Sequence, residues 1–155
     1  MKVVNISGKD YTFEFTIEAS LYDECTERTI GLMHQSAMAA ESGDEHGFLS
    51  SLANMPKVAL SMFYAGLLEH HGINGDNSVP DIGIAKKLLK AYMVEHKDDG
   101  TGDFYSVMEE MLSVMSDDGF FSLIGLEKMI GIQQTEKTAK VPQDHKKKTT
   151  RVSAK

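Results

Sequence analysis

The stretch "MPKVALSMFYAGLLEHHGINGDNSVPDIG", residues 55–83, decides how this chain is built. It begins as an apolar run at helical spacing and ends in glycine, asparagine and proline, the residues that turn a chain. Between them stands Glu69-His70-His71. Neighbouring helical positions point about 100° apart, so these histidines do not share one metal ion; a helical metal pair needs a spacing of three or four. In a last helical turn, imidazoles suit the carbonyl end. The triplet is therefore read as a helix ending, and Gly72 as the start of a corner.

Upstream, Phe48, Leu49, Leu52, Met55, Ala59, Met62, Phe63 and Leu67 continue the stripe. Pro56 sits inside it and predicts a kink or a second helix start, because proline lacks the backbone donor and crowds the preceding turn. Ser20 with Asp23 reads as a capping-box-like start of a helix running to about Ala40, with Leu21, Cys25, Ile30 and Met33 on one face. Before it, "KVVNI" and "YTFEFTI" read as two strands around the turn "SGKD". A lone hairpin is marginal in water, so its apolar face must rest on helices.

Downstream, Asp81 caps a helix carrying Ile82, Ala85, Leu88, Leu89 and Tyr92 on one side. Asp103 caps the most amphipathic segment of the chain, where Phe104, Val107, Met108, Met111, Leu112 and Met115 keep three-four spacing. "FFSLIGLEKMIGI" adds a short apolar helix. The expected fold is mainly α (α+β), an N-terminal β-hairpin packed on a four-to-six-helix domain spanning residues 1–133. Residues 134–155 read as a flexible, disordered basic tail.

Charge divides in the same place. Residues 136–155 hold seven basic and two acidic residues, whereas residues 1–135 hold nine basic and 21 acidic ones. An acidic body repels phosphates, so nucleic acid is an unlikely partner and could be held only by the tail. No apolar run reaches the 18 or so residues of a membrane span, and the N-terminus lacks the pattern of a secretory signal. One cysteine allows no internal disulfide and no cysteine-based zinc cage. The expected setting is a reducing cytoplasm.

Catalytic and metal signatures are thin. "EHKDDGTGDFYS", residues 95–106, looks like a calcium loop, but Lys97 occupies a ligand position and Ser106 stands where a bidentate Glu is needed. A calcium-sensor-like binding protein with a degenerate loop is one alternative, and a small nucleic-acid-binding regulator acting through the tail is another. No nucleophile elbow or phosphate loop is present, and no cofactor is expected. The protein reads as a non-enzyme. Ten methionines suit adaptable packing and adaptable binding alike. Met62, Phe63, Met108, Met111 and Met115 are the candidate partner-binding face; Lys146, Lys147, Lys148 and Arg151 are candidate tail contacts.

"ISGKDYTFEFTIEA" (6–19), then "LSMFYAGLLEHHG" (60–72), then the Pro-Asp-capped "IAKKLLKAYMVEH" (84–96) form a sequence of features that resembles the tail assembly chaperones of long-tailed bacteriophages and prophages. "MFYAGLLEHH" carries most of that resemblance, which spans roughly residues 4–130. It implies a protein of the infected bacterial host's cytoplasm that binds the tape-measure protein, keeps it soluble, helps recruit tail-tube protein and is absent from the finished virion. It also implies that a longer form can arise by programmed frameshift, with which "KKK" near the end is consistent. A homo-oligomer is a further expectation, since apolar helix faces often find each other, and no heptad pattern sets its number.

Overall fold

A computed structural model describes residues 1–43 and 45–129. The expected basic tail, with Lys146, Lys147, Lys148 and Arg151, lies outside the described residues, as does the side chain of Phe48.

The chain opens with an antiparallel hairpin of β1 (Lys2–Ile6) and β2 (Lys9–Phe13), Ile6 pairing with Lys9. Ser7 and Gly8 form the two-residue turn, with φ of 52° and 80°. Positive φ at both central positions matches the right-handed twist of the strands, and glycine accepts it without Cβ strain. Asn5 fixes the corner: its carbonyl oxygen accepts from the Gly8 N–H at 3.2 Å. The tight turn starts β2 two residues earlier than the aromatic alternation suggests.

Helices follow as α1 (Ile17–Ser20), α2 (Asp23–Ser42), α3 (Glu45–His71), α4 (Ile82–Glu95), α5 (Phe104–Asp117) and α6 (Phe120–Leu123). Together with the hairpin they make a mainly α protein. Ser20 does not cap α2. Its hydroxyl donates back to the Ile17 carbonyl at 2.8 Å, closing α1 instead. The break between α1 and α2 turns Leu21 into solvent at 71% exposure, and Tyr22, Cys25, Thr29 and Leu32 form the inward stripe. Met33 is likewise exposed.

Helix α3 runs through Pro56 unbroken. Pro56 and Leu52 both face solvent, so the carbonyl that loses its helical donor there can be hydrated. α3 is the spine, packing against α1, α2, α4, α5 and β2. Its central residues Val58, Ala59, Met62, Phe63, Ala65 and Leu67 are buried. Phe63 meets Phe13 edge to face at 4.8 Å, and Phe15 meets Phe120 at 5.7 Å, so the last residue of β2 docks the hairpin on the spine and the residue two further on packs against α6.

Gly66 permits that docking. Its carbonyl accepts from the Glu14 N–H at 2.8 Å, and a Cβ there would meet Phe13 Cδ1 at 3.0 Å. The end of α3 is a clamp as well as a stop. Glu69 accepts from the Thr16 hydroxyl at 2.6 Å, His70 Nε2 pairs with Glu14 at 2.7 Å, and His71 Nε2 accepts from the Thr12 N–H at 2.9 Å. Backbone groups of the corner, not the imidazoles, satisfy the terminal carbonyls: Asp76 N–H bonds His70 O at 2.8 Å and Val79 N–H bonds His71 O at 2.7 Å.

A lysine-rimmed apolar groove as candidate binding site

The five residues read from spacing as a partner-binding face do come together, but inside the protein. Met62, Phe63, Met108, Met111 and Met115 belong to one core and are between 0 and 8% exposed. The physical reason is that α5 lies along α3 and spends its three-four stripe on that contact. The expected partner-binding face is thus corrected to a Met-filled core, and no side chain of the five is open to a partner in this fold.

A groove opens elsewhere, where α4 passes α3 and the start of α5. Helix α4 has two stripes. Asp81 starts it by accepting from the Ile84 N–H at 3.0 Å, which sets the rotation of everything that follows. Ala85, Leu89 and Tyr92 then point into the core. One step around the helix, Lys86, Lys90, Met93 and Val94 line a cavity of about 650 Å³ together with Lys97 just past the helix end. Leu60 of α3 and Phe104 of α5 complete the apolar floor with Leu89. Val94 is 65% exposed although it is aliphatic.

The rim is basic throughout. Lys57 stands on the α3 side, and Lys86, Lys90 and Lys97 on the α4 side. These are four of only nine basic residues in the first 135, in a body with 21 acids. Among the described residues no carboxylate lies within ion-pair distance of any of the four. Lysine stems lie readily along apolar surface while their ammonium groups remain in water. The arrangement can therefore seat apolar side chains on its floor and meet negative charge at its edges.

Several other ionisable groups are already engaged. Asp99 accepts from the Thr101 N–H at 2.9 Å and from its hydroxyl at 2.5 Å, and pairs with His96 at 2.7 Å. The Thr101 hydroxyl, His96 and the Thr101 N–H hold its carboxyl at about 2. Asp103 caps α5, accepting from the N–H groups of Tyr105 and Ser106. Asp99 and Asp103 of the calcium-like loop thus serve its own backbone and side chains, Glu95 accepts from the N–H and hydroxyl of Ser7 in the hairpin turn, and Lys97 joins the groove. Burial pushes the Cys25 thiol up to about 12, far from a nucleophilic thiolate. Glu110, beside the acidic cavity near Lys2, bonds the Tyr92 hydroxyl at 2.6 Å and pairs with Lys2. No group of three or more metal-ligating side chains occurs among the described residues, and no helix among them is long and apolar enough to cross a membrane.

Sequence reasoning missed the groove, though one signal for it was present. Met93-Val94 is an apolar pair directly after Tyr92, off the core stripe, and Lys86, Lys90 and Lys97 recur at helical spacing around it. Compared with protein-family models, curated protein sequences and solved structures, the chain matches none. The chemistry of the groove carries the functional reading.

Proposed function

We propose that the protein is a non-enzymatic tail assembly chaperone that holds a helical client, the tape-measure protein, soluble in the host cytoplasm until tail-tube subunits surround it. The observation that carries this reading is the groove between α3 and α4, an apolar floor left open beside the buried core. A long helical client has apolar faces that aggregate unless covered, and helix-in-groove docking covers them. Met93 and Phe104 give the floor shape, and Met93 can repack against differing side chains at small cost. The resemblance of residues 6–19, 60–72 and 84–96 to phage tail assembly chaperones supplies the client's identity.

The test is co-expression with the large helix-rich protein encoded beside this one in the same phage or prophage. The client is expected to become soluble and to co-purify with the wild-type chain, and to do neither with Val94→Glu, which places a carboxylate over the floor. A client that stays insoluble and unbound with the wild-type chain overturns the proposal.

A further inference from the structure

The groove's floor says that something apolar sits there; its rim says what kind. We infer that the α3–α4 groove selects an acidic amphipathic helix, one whose apolar stripe is flanked by Asp or Glu. This rests on reading the groove as the client seat, and it specifies the segment of the client that enters.

Charge is the argument. Lys57 on one wall and Lys86, Lys90 and Lys97 on the other leave both edges positive, and none is neutralised by a carboxylate among the described residues. Lys87 extends the positive surface of α4 beyond the groove. Chance scatter of nine basic residues over an acidic body does not favour four around one apolar floor. Like charges held together repel, and a partner bringing carboxylates relieves that repulsion while a basic one adds to it.

Geometry suits a helix. Lys86 to Val94 runs about 12 Å along α4 at roughly 1.5 Å per residue, which faces about two turns of a docked helix. A helix with apolar residues at i, i+3, i+4 and i+7 puts its flanking positions over the two walls, where acids would meet the lysines. The chain's own continuation is the wrong sign for this seat, since residues 136–155 carry seven basic residues and two acids.

The experiment uses the full chain and three labelled helical peptides with one apolar stripe, flanked by Glu, by Gln or by Lys. Binding is followed by fluorescence anisotropy at low and at high salt. The Glu peptide is expected to bind tightest, about tenfold over the Lys peptide, and to lose that advantage in high salt. The double variant Lys86→Glu/Lys90→Glu, both side chains exposed, leaves the rim with two positive and two negative charges; it should fold normally by circular dichroism and lose the preference for the Glu over the Lys peptide.

Equal binding of all three peptides by the wild-type chain, or an order unchanged in the double variant, overturns the inference. So does capture of phosphatidylglycerol vesicles with no peptide bound, which would make the groove a lipid seat. A dimer of the wild-type chain that the double variant dissolves would make a second copy the occupant and also overturn it. Peptide preference is independent of the tape-measure assay. If the Glu peptide wins and the phage client stays insoluble, the groove chemistry stands and the chaperone assignment fails; a solubilised client with no peptide preference gives the converse.

Discussion

His71 shows how one side chain at the end of a helix can secure three segments. Its Nε2 accepts from the Thr12 N–H, so the ring proton resides on Nδ1 and faces Asp76 Oδ2 at 3.0 Å. Ser78 adds its hydroxyl at 3.2 Å from the same nitrogen and its N–H at 2.9 Å to Asp76. The hydroxyl and N–H of Ser78, with His71 behind them, lower Asp76 from an ordinary 3.8 to about 2. A carboxyl lowered by folding stabilises the fold above its unfolded value, and that contribution disappears as pH falls through the folded one. Denaturation midpoints measured against pH should therefore show wild type above Asp76→Asn near neutrality, with the gap closing between about pH 4 and pH 2. Curves that stay parallel across that window would remove Asp76 from the acid stability of the corner. None of this was legible in Glu69-His70-His71 as letters: spacing shows that the histidines cannot share a metal, but it does not show that Thr12, 59 positions away, needs an acceptor.

At the scale of elements, the boundaries that local chemistry dictates are the ones the sequence reveals. Asp81 and Asp103 cap α4 and α5 because each side-chain oxygen finds helix N–H groups two or three residues on. The hairpin is legible from its glycine turn and alternating aromatics. Ser20 misleads because its rule describes a local preference that tertiary packing decided against, and Pro56 starts no second helix. The α1–α2 break lets Ala19 and Cys25 both reach the core, while Pro56 sits on a solvated side of α3 where its missing donor costs little. Gly66 is the contact point between elements, since α3 and the segment after β2 touch through it. Gly66→Ala gains helix propensity but presses a methyl against Phe13 at 3.0 Å and Phe15 at 3.2 Å. Both rings are wholly buried and have little room to yield, so overpacking should win, with a loss of about 1–3 kcal/mol. Urea denaturation checks the sign. A more stable Gly66→Ala would show that the rings shift freely and that the aromatic contact is looser than its geometry implies.

Over the whole molecule, the same residue type serves two ends, and only the packing tells them apart. Met62, Met108, Met111 and Met115 fill the core, whereas Met93 lies half-buried in the groove beside exposed Val94. Spacing along α5 identified an apolar face correctly; it had no means of showing that α3 covers that face, because the covering partner is far away in sequence. The groove was hidden for the opposite reason, being assembled from Leu60, Met93 and Phe104 of three helices, none conspicuous alone. A pair of glutamates separates the two roles. Met111→Glu buries an unpaired carboxylate at a position 2% exposed, a change that costs upward of about 3 kcal/mol and is a large share of the 5–15 kcal/mol typical of a domain. It should abolish cooperative unfolding or lower its midpoint severely, and lose client binding only because the fold is lost. Val94→Glu alters a side chain already largely in water, and should leave the unfolding free energy within about 0.5 kcal/mol of wild type while removing binding. If Met111→Glu instead stays folded and loses the client, α5 must open from α3 to bind, and the working surface would be the Met-filled seam rather than the lysine-rimmed groove.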